Sequence, residues 1–259
     1  MWIESITPDT ALAPGVQVRS TLRAGGVSQP PYGATQGGAG GLNLASHCGD
    51  DPLSVQENRS RLRAVLPGDP HWMEQVHGTA VLEIDPVSVA ACPHGVRADA
   101  AVTRERRTVL AVMTADCLPV VLADQSARAI GIAHAGWRGL AAGVLENTVS
   151  ALLRHSGGQA ADCVAWLGPA IGPRQFEVGA DVWQAFTDRE ADLRAYFRPT
   201  GTEGKWWADL AGLARHRLRG LGLARVEGGQ WCTVEDADRF YSYRRDRVTG
   251  RMATLVWID

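Results

Sequence analysis

The chain has 259 residues, 45% of them hydrophobic and 21% charged, the composition of a globular protein with a sizeable core. Its 26 basic and 28 acidic residues leave a formal charge of −2, which gives no overall electrostatic case for binding nucleic acid or an anionic membrane. No apolar run reaches the ~18 residues that a membrane-spanning helix needs, and the opening MWIESITPDT lacks a basic start and an apolar signal core, which points to a cytoplasmic protein.

In chain order, β-branched and apolar runs alternate with helical patterns, and no linker divides them. VQVRSTL (16–22) reads as the first strand. Residues 24–41, AGGVSQPPYGATQGGAGG, are too rich in glycine and proline for regular structure and read as a mobile surface loop. Its GGAGG lacks the Lys-Ser/Thr that a phosphate-binding loop requires, so no nucleotide fingerprint is present.

Asp51 followed by Pro52 marks a helix start, and the pattern runs to Pro67 and Gly68. Strands are then expected over 71–84, 100–103, 108–114, 119–124 and 127–134. A helix from Leu140 to Gly157 has Val144, Leu145, Thr148 and Leu152 on one face, and its amino-terminal end would welcome an anion. Beyond it, 162–168, 225–233 and 252–258 read as strands, and 178–197 and 207–222 as helices. The fold class is α/β, as one domain with a large mixed sheet system.

Five cysteines, at 48, 92, 117, 163 and 232, form no CxxC pair, which disfavours both a disulfide framework and a closed four-cysteine zinc site. Three segments instead place one metal-capable side chain each: His77 in QVHG, Cys117 in ADCLP and His134 in AHAGWRG. Two imidazoles and one thiolate make a three-ligand zinc set with a fourth position free for water or substrate, the arrangement of catalytic zinc. Their spacing matches no short zinc motif, and a single His or Cys in an apolar strand is ordinarily a core residue. All three, however, lie beside turn-forming glycine or proline at strand ends, where α/β sheets build their sites. His71, His94, His155 and His216 suit surface or helix-end roles, whereas His47 sits between Asn43 and Asp50. Cys117 also admits a second reading, as a nucleophile activated by His134.

The ordered blocks GGVS (25–28), LNLASHCGDDPLSVQENRSRL (42–62), EQVHG (74–78), ADAAVT (98–103), TADCLPVVLAD (114–124), IGIAHAGWRGLAAGVLENTV (130–149), LGPAIGPRQFEVG (167–179) and FYSYRRDRVTGRMATLVWI (240–258) resemble the YfiH-type proteins. That family was formerly described as multicopper polyphenol oxidase or laccase-domain proteins and is now described as purine nucleoside phosphorylases. The resemblance covers nearly the whole chain, 1–259, as one domain. It implies a layered α-β-β-α sandwich with mixed sheets, similar to the cytotoxic necrotizing factor-like deamidases, and zinc on His77, Cys117 and His134, with copper as the other metal that a thiolate and two imidazoles tolerate.

The implied activity is phosphorolysis of adenosine, inosine, guanosine and methylthioadenosine, with adenosine deamination beside it. For deamination the metal would lower the pKa of a water toward ~7, and His47 or Asp116 would move protons. Asp116 is also placed to orient His77 or His134 through the ring nitrogen turned away from the metal. Phosphorolysis needs cations for phosphate, for which Arg59, Arg138 and Arg244 are the candidates, and Asn43 could read a purine edge. The partners are therefore small molecules, with no nucleic acid and no membrane; oligomeric state is not encoded in any motif.

Two other functions remain compatible with these residues. Some relatives edit peptidoglycan precursors by hydrolysing the amide of UDP-MurNAc-L-Ser, and the same arginines would fit its diphosphate. Alternatively zinc staples the fold of a non-enzymatic binding protein, which requires a fourth protein ligand such as His47 or Cys48. A multicopper oxidase needs a blue-copper site and a trinuclear cluster, and seven histidines cannot supply both.

Overall fold

A computed structural model describes residues 3–34, 38–85, 95–188 and 190–259, so Cys92 and His94 lie outside the described residues. Two large sheets carry the fold. The first has strands β1 (Ser5–Ile6), β2 (Val16–Thr21), β4 (Pro70–His71), β9 (Val109–Thr114) and β17 (Met252–Ile258), in the order β1-β2-β17-β9-β4. The second has β6 (Val81–Ile84), β8 (Ala100–Thr103), β10 (Leu118–Asp124), β11 (Ile130–Ala135), β12 (Cys163–Leu167) and β16 (Arg225–Gly228), in the order β16-β12-β10-β11-β8-β6. Both sheets are mixed. β4 runs parallel to β9 in the first, and β12–β16 and β6–β8 are parallel in the second, among otherwise antiparallel pairs.

The layering follows from which side chains meet. Val18, Leu110, Val112 and Val256 of the first sheet pack against Val121, Ile130, Ile132 and Trp166 of the second, so the two sheets lie face to face. The outer face of the second sheet, with Val120, Leu122, Ala133 and Leu167, is covered by helices that present Leu145, Val149, Leu152 and Leu213. The outer face of the first, with Ala111, Leu255 and Trp257, is covered by Leu62 of α1 and by Leu42 and Leu44. The order is therefore helix, sheet, sheet, helix. It explains why β9, β10 and β11 are buried at every position rather than alternately: a strand covered on both faces has no side left for polar residues. Ile132 is fully buried between the sheets, and cutting it to alanine would cost about 3 kcal/mol.

The helix α1 runs Pro52–Arg63, and the Asp51 carboxylate accepts the amides of Leu53 and Ser54 as anticipated. It stops short of Pro67 because the chain tightens into turns after Arg63. The 140–157 helix is two helices. α2 (Trp137–Ala142) ends at Gly143, whose φ of 103° no ordinary side chain adopts readily, and α3 (Val144–Ser156) starts afresh. The 178–197 helix likewise divides into α4 (Ala180–Thr187) and a 3₁₀ turn, Ala191–Tyr196. The last long helix, α5 (Leu210–Gly220), is capped by Asp209, which accepts the Gly212 amide at 2.8 Å.

Two corrections concern the site. The single strand expected over 71–84 is interrupted: short strands end at Glu74, a turn occupies 75–80, and β6 begins at Val81. The glycine-rich 24–41 is not loop throughout, because Ala24–Ser28 forms β3, bridged to Gly41. Asn58 on α1 holds that arm in place; its amide donates to Ser28 Oγ and to the Gly41 and Asn43 carbonyls and accepts the Val27 amide. Gly26 must be glycine there, since a Cβ would lie 2.2 Å from the Gly41 carbonyl oxygen.

No helix among the described residues is long and apolar enough to cross a membrane.

Candidate metal centre

The sheet register brings the three donors together. In the second sheet Pro119 faces His134 and Leu118 faces Ala135, so one further step sets Cys117 beside Gly136. On the other side Ala100 faces Ala133, and the next step sets Asp99 against His134, whose amide donates to the Asp99 carbonyl at 2.7 Å. The strands β6, β8 and β10 begin, and β11 ends, at this edge. The 75–80 turn delivers His77 to the same place. The donor atoms of His77, Cys117 and His134 lie within 4.8 Å of one another, His77 exposed, Cys117 half-buried and His134 buried. His77 Nε2 stands 3.7 Å from Cys117 Sγ, and the two imidazoles meet edge to face with centroids 4.8 Å apart.

Asp99 organises this cluster, and sequence reading missed it. The carboxylate is fully buried. It accepts the amides of Val76, His77 and Gly78 at 3.1, 2.9 and 2.6 Å, a nest that holds the turn, and His77 adopts a left-handed φ of 60° within it. Its Oδ1 also lies 2.8 Å from His134 Nδ1, which fixes the ring and leaves Nε2 for a ligand. The signal lay in ADAAVT: an acid opening a strand otherwise made of buried apolar residues needs a buried partner.

The orienting role expected of Asp116 therefore belongs to Asp99. Asp116 is not in a regular strand but in the bend that carries the chain from β9 in one sheet to β10 in the other, with φ of 95°. Its carboxylate accepts the Thr233 hydroxyl and the Arg244 amide, each at 2.6 Å. It fixes the short helix α6 (Tyr243–Asp246) against the Cys117 bend.

Without a metal the cluster holds a thiolate–imidazolium pair, whose ring proton a metal ion would displace. Burial alone would raise the Cys117 thiol; the charge and hydrogen bond of His134, joined by His77, outweigh it and bring the thiol from 9.0 to about 6. Burial would push His134 down, but the Cys117 thiolate and the Asp99 carboxylate raise it to about 9. Asp99, raised by burial, is pulled below its ordinary range by His134 and the turn amides. Gly136 supplies the space: a Cβ there would lie 2.8 Å from His77 Cδ2 and 3.0 Å from Cys117 Sγ.

Two cavities flank the cluster and share His77, Ala115, Cys117 and Tyr243 as a common wall. The larger, about 610 Å³, is lined by His47, Met73, Glu74, Gln75, Met113, Thr114, His134 and Arg251 as well. The smaller, about 260 Å³, adds Asp116, Trp137, Arg138, Ile171, Phe176, Leu210 and Arg244. Gln75 sets the larger wall by pairing both amide groups with the Met113 backbone, at 2.8 and 2.7 Å.

The other expected site residues divide. His47 faces the larger cavity, and desolvation with the charges of Arg251 and Arg59 holds its imidazolium below the ordinary range. Arg138 is exposed at the smaller cavity, its guanidinium 4.4 Å from the Trp137 ring centroid. Arg244 lines the same cavity, with Nη1 donating to the Gln175 and Glu177 carbonyls. Arg59 is not in either wall. It donates to the Leu44 carbonyl, lies over Trp72 at 4.9 Å and lines a separate groove along α1. Asn43 cannot read a base: it is fully buried, and its amide is taken up by Ala45, Asp50 and the Arg251 backbone. Tyr243 and Arg251, which sequence reading did not single out, stand in its place. His155 and His216 pair with Glu83 and Glu190 away from the cluster.

The arrangement defines a layered α/β protein whose His-Cys-His group could hold a metal ion with an open coordination position. The chain belongs to the family described as multi-copper polyphenol oxidoreductase laccase, whose model matches residues 17–259. It is 46% identical over 254 residues to a Pseudomonas aeruginosa protein named purine nucleoside phosphorylase, covering 98% of each chain. It is also 46% identical over 255 residues to the Escherichia coli purine nucleoside phosphorylase YfiH, again with 98% of each covered. The crystal structure of a Neisseria meningitidis protein of family DUF152 superposes with a TM-score of 0.88 at 42% identity, covering 98% of this chain and 99% of that one. The copper cluster in the family description does not fit these residues, since His77, Cys117 and His134 are the one group of the required kind among the described residues.

Proposed function

We propose that the chain is a zinc-dependent purine nucleoside phosphorylase acting on adenosine, inosine, guanosine and methylthioadenosine, with adenosine deamination as a second reaction. The observation that carries this reading is a thiolate-imidazole donor set standing between two cavities, in a chain whose relatives are named purine nucleoside phosphorylases. The donor set fits zinc: a thiol held at about 6 and a ring whose second nitrogen is tied to a carboxylate are the states that zinc selects. When bound, the ion would supply Lewis acidity at its open position.

The protein groups do the rest. Arg251, whose Nη1 donates to the Thr249 and Gly250 carbonyls, lines the larger cavity as its cation for phosphate, while the exposed Arg138 stands at the mouth of the smaller one. His47, held below its ordinary range and so neutral near pH 7, accepts or returns a proton at the larger cavity. As phosphate oxygen bonds to the anomeric carbon, the glycosidic C–N bond breaks and the purine leaves with a proton. Asp116, its carboxylate occupied, positions α6 rather than carrying a proton.

Incubating the metal-loaded protein with adenosine, with and without phosphate, and following products by mass spectrometry tests this. Adenine and ribose-1-phosphate should form only with phosphate, and inosine should form without it. A parallel incubation with UDP-MurNAc-L-Ser that releases serine, while adenosine stays intact, would replace this reading with the precursor-editing one.

A further inference from the structure

We propose that Tyr243 is the stacking platform for the substrate base and that the base lies in the smaller cavity, on the far side of the ligand cluster from phosphate. This inference rests on the phosphorylase reading. Tyr243 is a large aromatic side chain left 50% exposed although it sits in a cleft, and it is one of four residues that wall both cavities. The other three are His77, Cys117 and the Ala115 between strands, so the ring stands beside the metal donors themselves. Its hydroxyl has no protein partner among the described residues, and the guanidinium carbons of Arg247 and Arg251 lie 5.8 and 5.9 Å from the ring centroid.

The ring is also held at a fixed place. Ser242 caps α6 by accepting the Arg245 amide at 3.2 Å, and the Arg244 amide donates to Asp116, next to Cys117. That bond fixes the backbone that carries the ring relative to the Cys117 bend.

The walls decide which side the base takes. The smaller cavity offers Trp137, Ile171, Phe176 and Leu210, two aromatic and two aliphatic side chains, beside Arg138, Arg244 and an Asp116 carboxylate held by Thr233. A flat ring with apolar faces is stabilised by such walls and by stacking on an exposed tyrosine ring. The larger cavity carries His47 and Arg251, a hydrogen-bonding ring and a cation that suit a ribose and an oxyanion. Nucleoside and phosphate then approach the cluster from opposite sides, and both must be bound before the glycosidic bond breaks.

Steady-state kinetics on the zinc-loaded protein, with adenosine and phosphate varied separately, test the assignment. Tyr243→Ala should raise KM for adenosine about ten-fold and leave KM for phosphate, kcat and zinc content within about two-fold. Tyr243→Phe should restore the adenosine KM, because stacking needs the ring and not the hydroxyl. Trp137→Leu should raise the adenosine KM in the same direction, and initial-rate plots should intersect, as a ternary complex requires. An unchanged adenosine KM in Tyr243→Ala, or a Phe variant as weak as the Ala variant, would overturn the platform. A Trp137→Leu variant with normal KM beside an impaired Tyr243→Ala would overturn the placement in the smaller cavity. Wild-type protein that neither binds nor turns over adenosine would instead sink the phosphorylase reading, and this inference with it.

Discussion

Two buried polar networks can be compared in this molecule, one around Asn43 and Asn58 and one around Asp99. Both tie a loop to regular structure, and both use side chains that are fully buried. In the first, every amide atom meets a partner within the protein: Asn58 with Ser28, Val27, Gly41 and Asn43, and Asn43 with Ala45, Asp50 and Arg251. In the second, Asp99 is equally saturated, but the groups it orients are not. His134 turns its second ring nitrogen to the Cys117 sulfur, His77 projects from its turn, and Cys117 is held toward the thiolate by these two rings, so the donors meet one another instead of the backbone. A saturated network stabilises; a network that orients unsaturated donors prepares chemistry.

The comparison can be broken most directly at Cys117. Cys117→Ala should abolish stoichiometric zinc and lower turnover by more than the ~100-fold that removing an outer partner of a metal ligand costs. A variant with normal zinc by mass spectrometry and normal rate would mean that the free donors do not matter. In chelated wild-type protein the thiol, lowered from 9.0 to about 6, should alkylate with iodoacetamide in a profile that rises as pH rises through about 6. At pH 7 this leaves roughly thirty-fold more thiolate than an ordinary cysteine has; a midpoint near 9 would show that the imidazoles do not hold it.

Asp99→Asn should weaken zinc binding about 10–100-fold, read by competition with a chelator, because the amide offers an N–H where the 76–78 turn or His134 needs an acceptor. Equal affinity in the variant would remove the organising role of this carboxylate. The smallest effect on the chemistry should come from the other network. Asn58→Ala should cost about 2 kcal/mol in urea unfolding, from buried groups left unpaired, yet leave kcat and KM of the folded protein unchanged. A variant stable but slow would erase the distinction drawn here.

The α/β class and several elements were legible in the residues, whereas the layering came only through the family resemblance. The 252–258 strand is found with the expected bounds, and Asp51 caps where its position before Pro52 indicates. The three donors could be named because each is a polar or reactive side chain in an apolar or glycine-rich setting. What escaped was whatever depends on register. Asp99 comes opposite His134 only once β8 pairs with β11, and Tyr243 reaches the cluster only because the Asp116 carboxylate binds the Arg244 amide 128 positions away in sequence. The turn at 75–80 is masked in the sequence because the left-handed residue is His77, with Gly78 only following it, and the turn is held by the distant Asp99 carboxylate. Arg59 could not be separated from Arg138 and Arg244 for a related reason: a guanidinium engaged by a carbonyl away from the cluster is indistinguishable in sequence from one that lines the cavity.

The left-handed backbone of His77 has a consequence for how the chain can change over time. Glycine adopts that conformation freely, whereas a residue with a Cβ is disfavoured there by roughly 1 kcal/mol. Replacing His77 with glycine would ease the backbone while removing a donor, so drift toward a sturdier protein and drift toward a silent one run along the same path at this position. A histidine there is kept by its imidazole and against its own main chain.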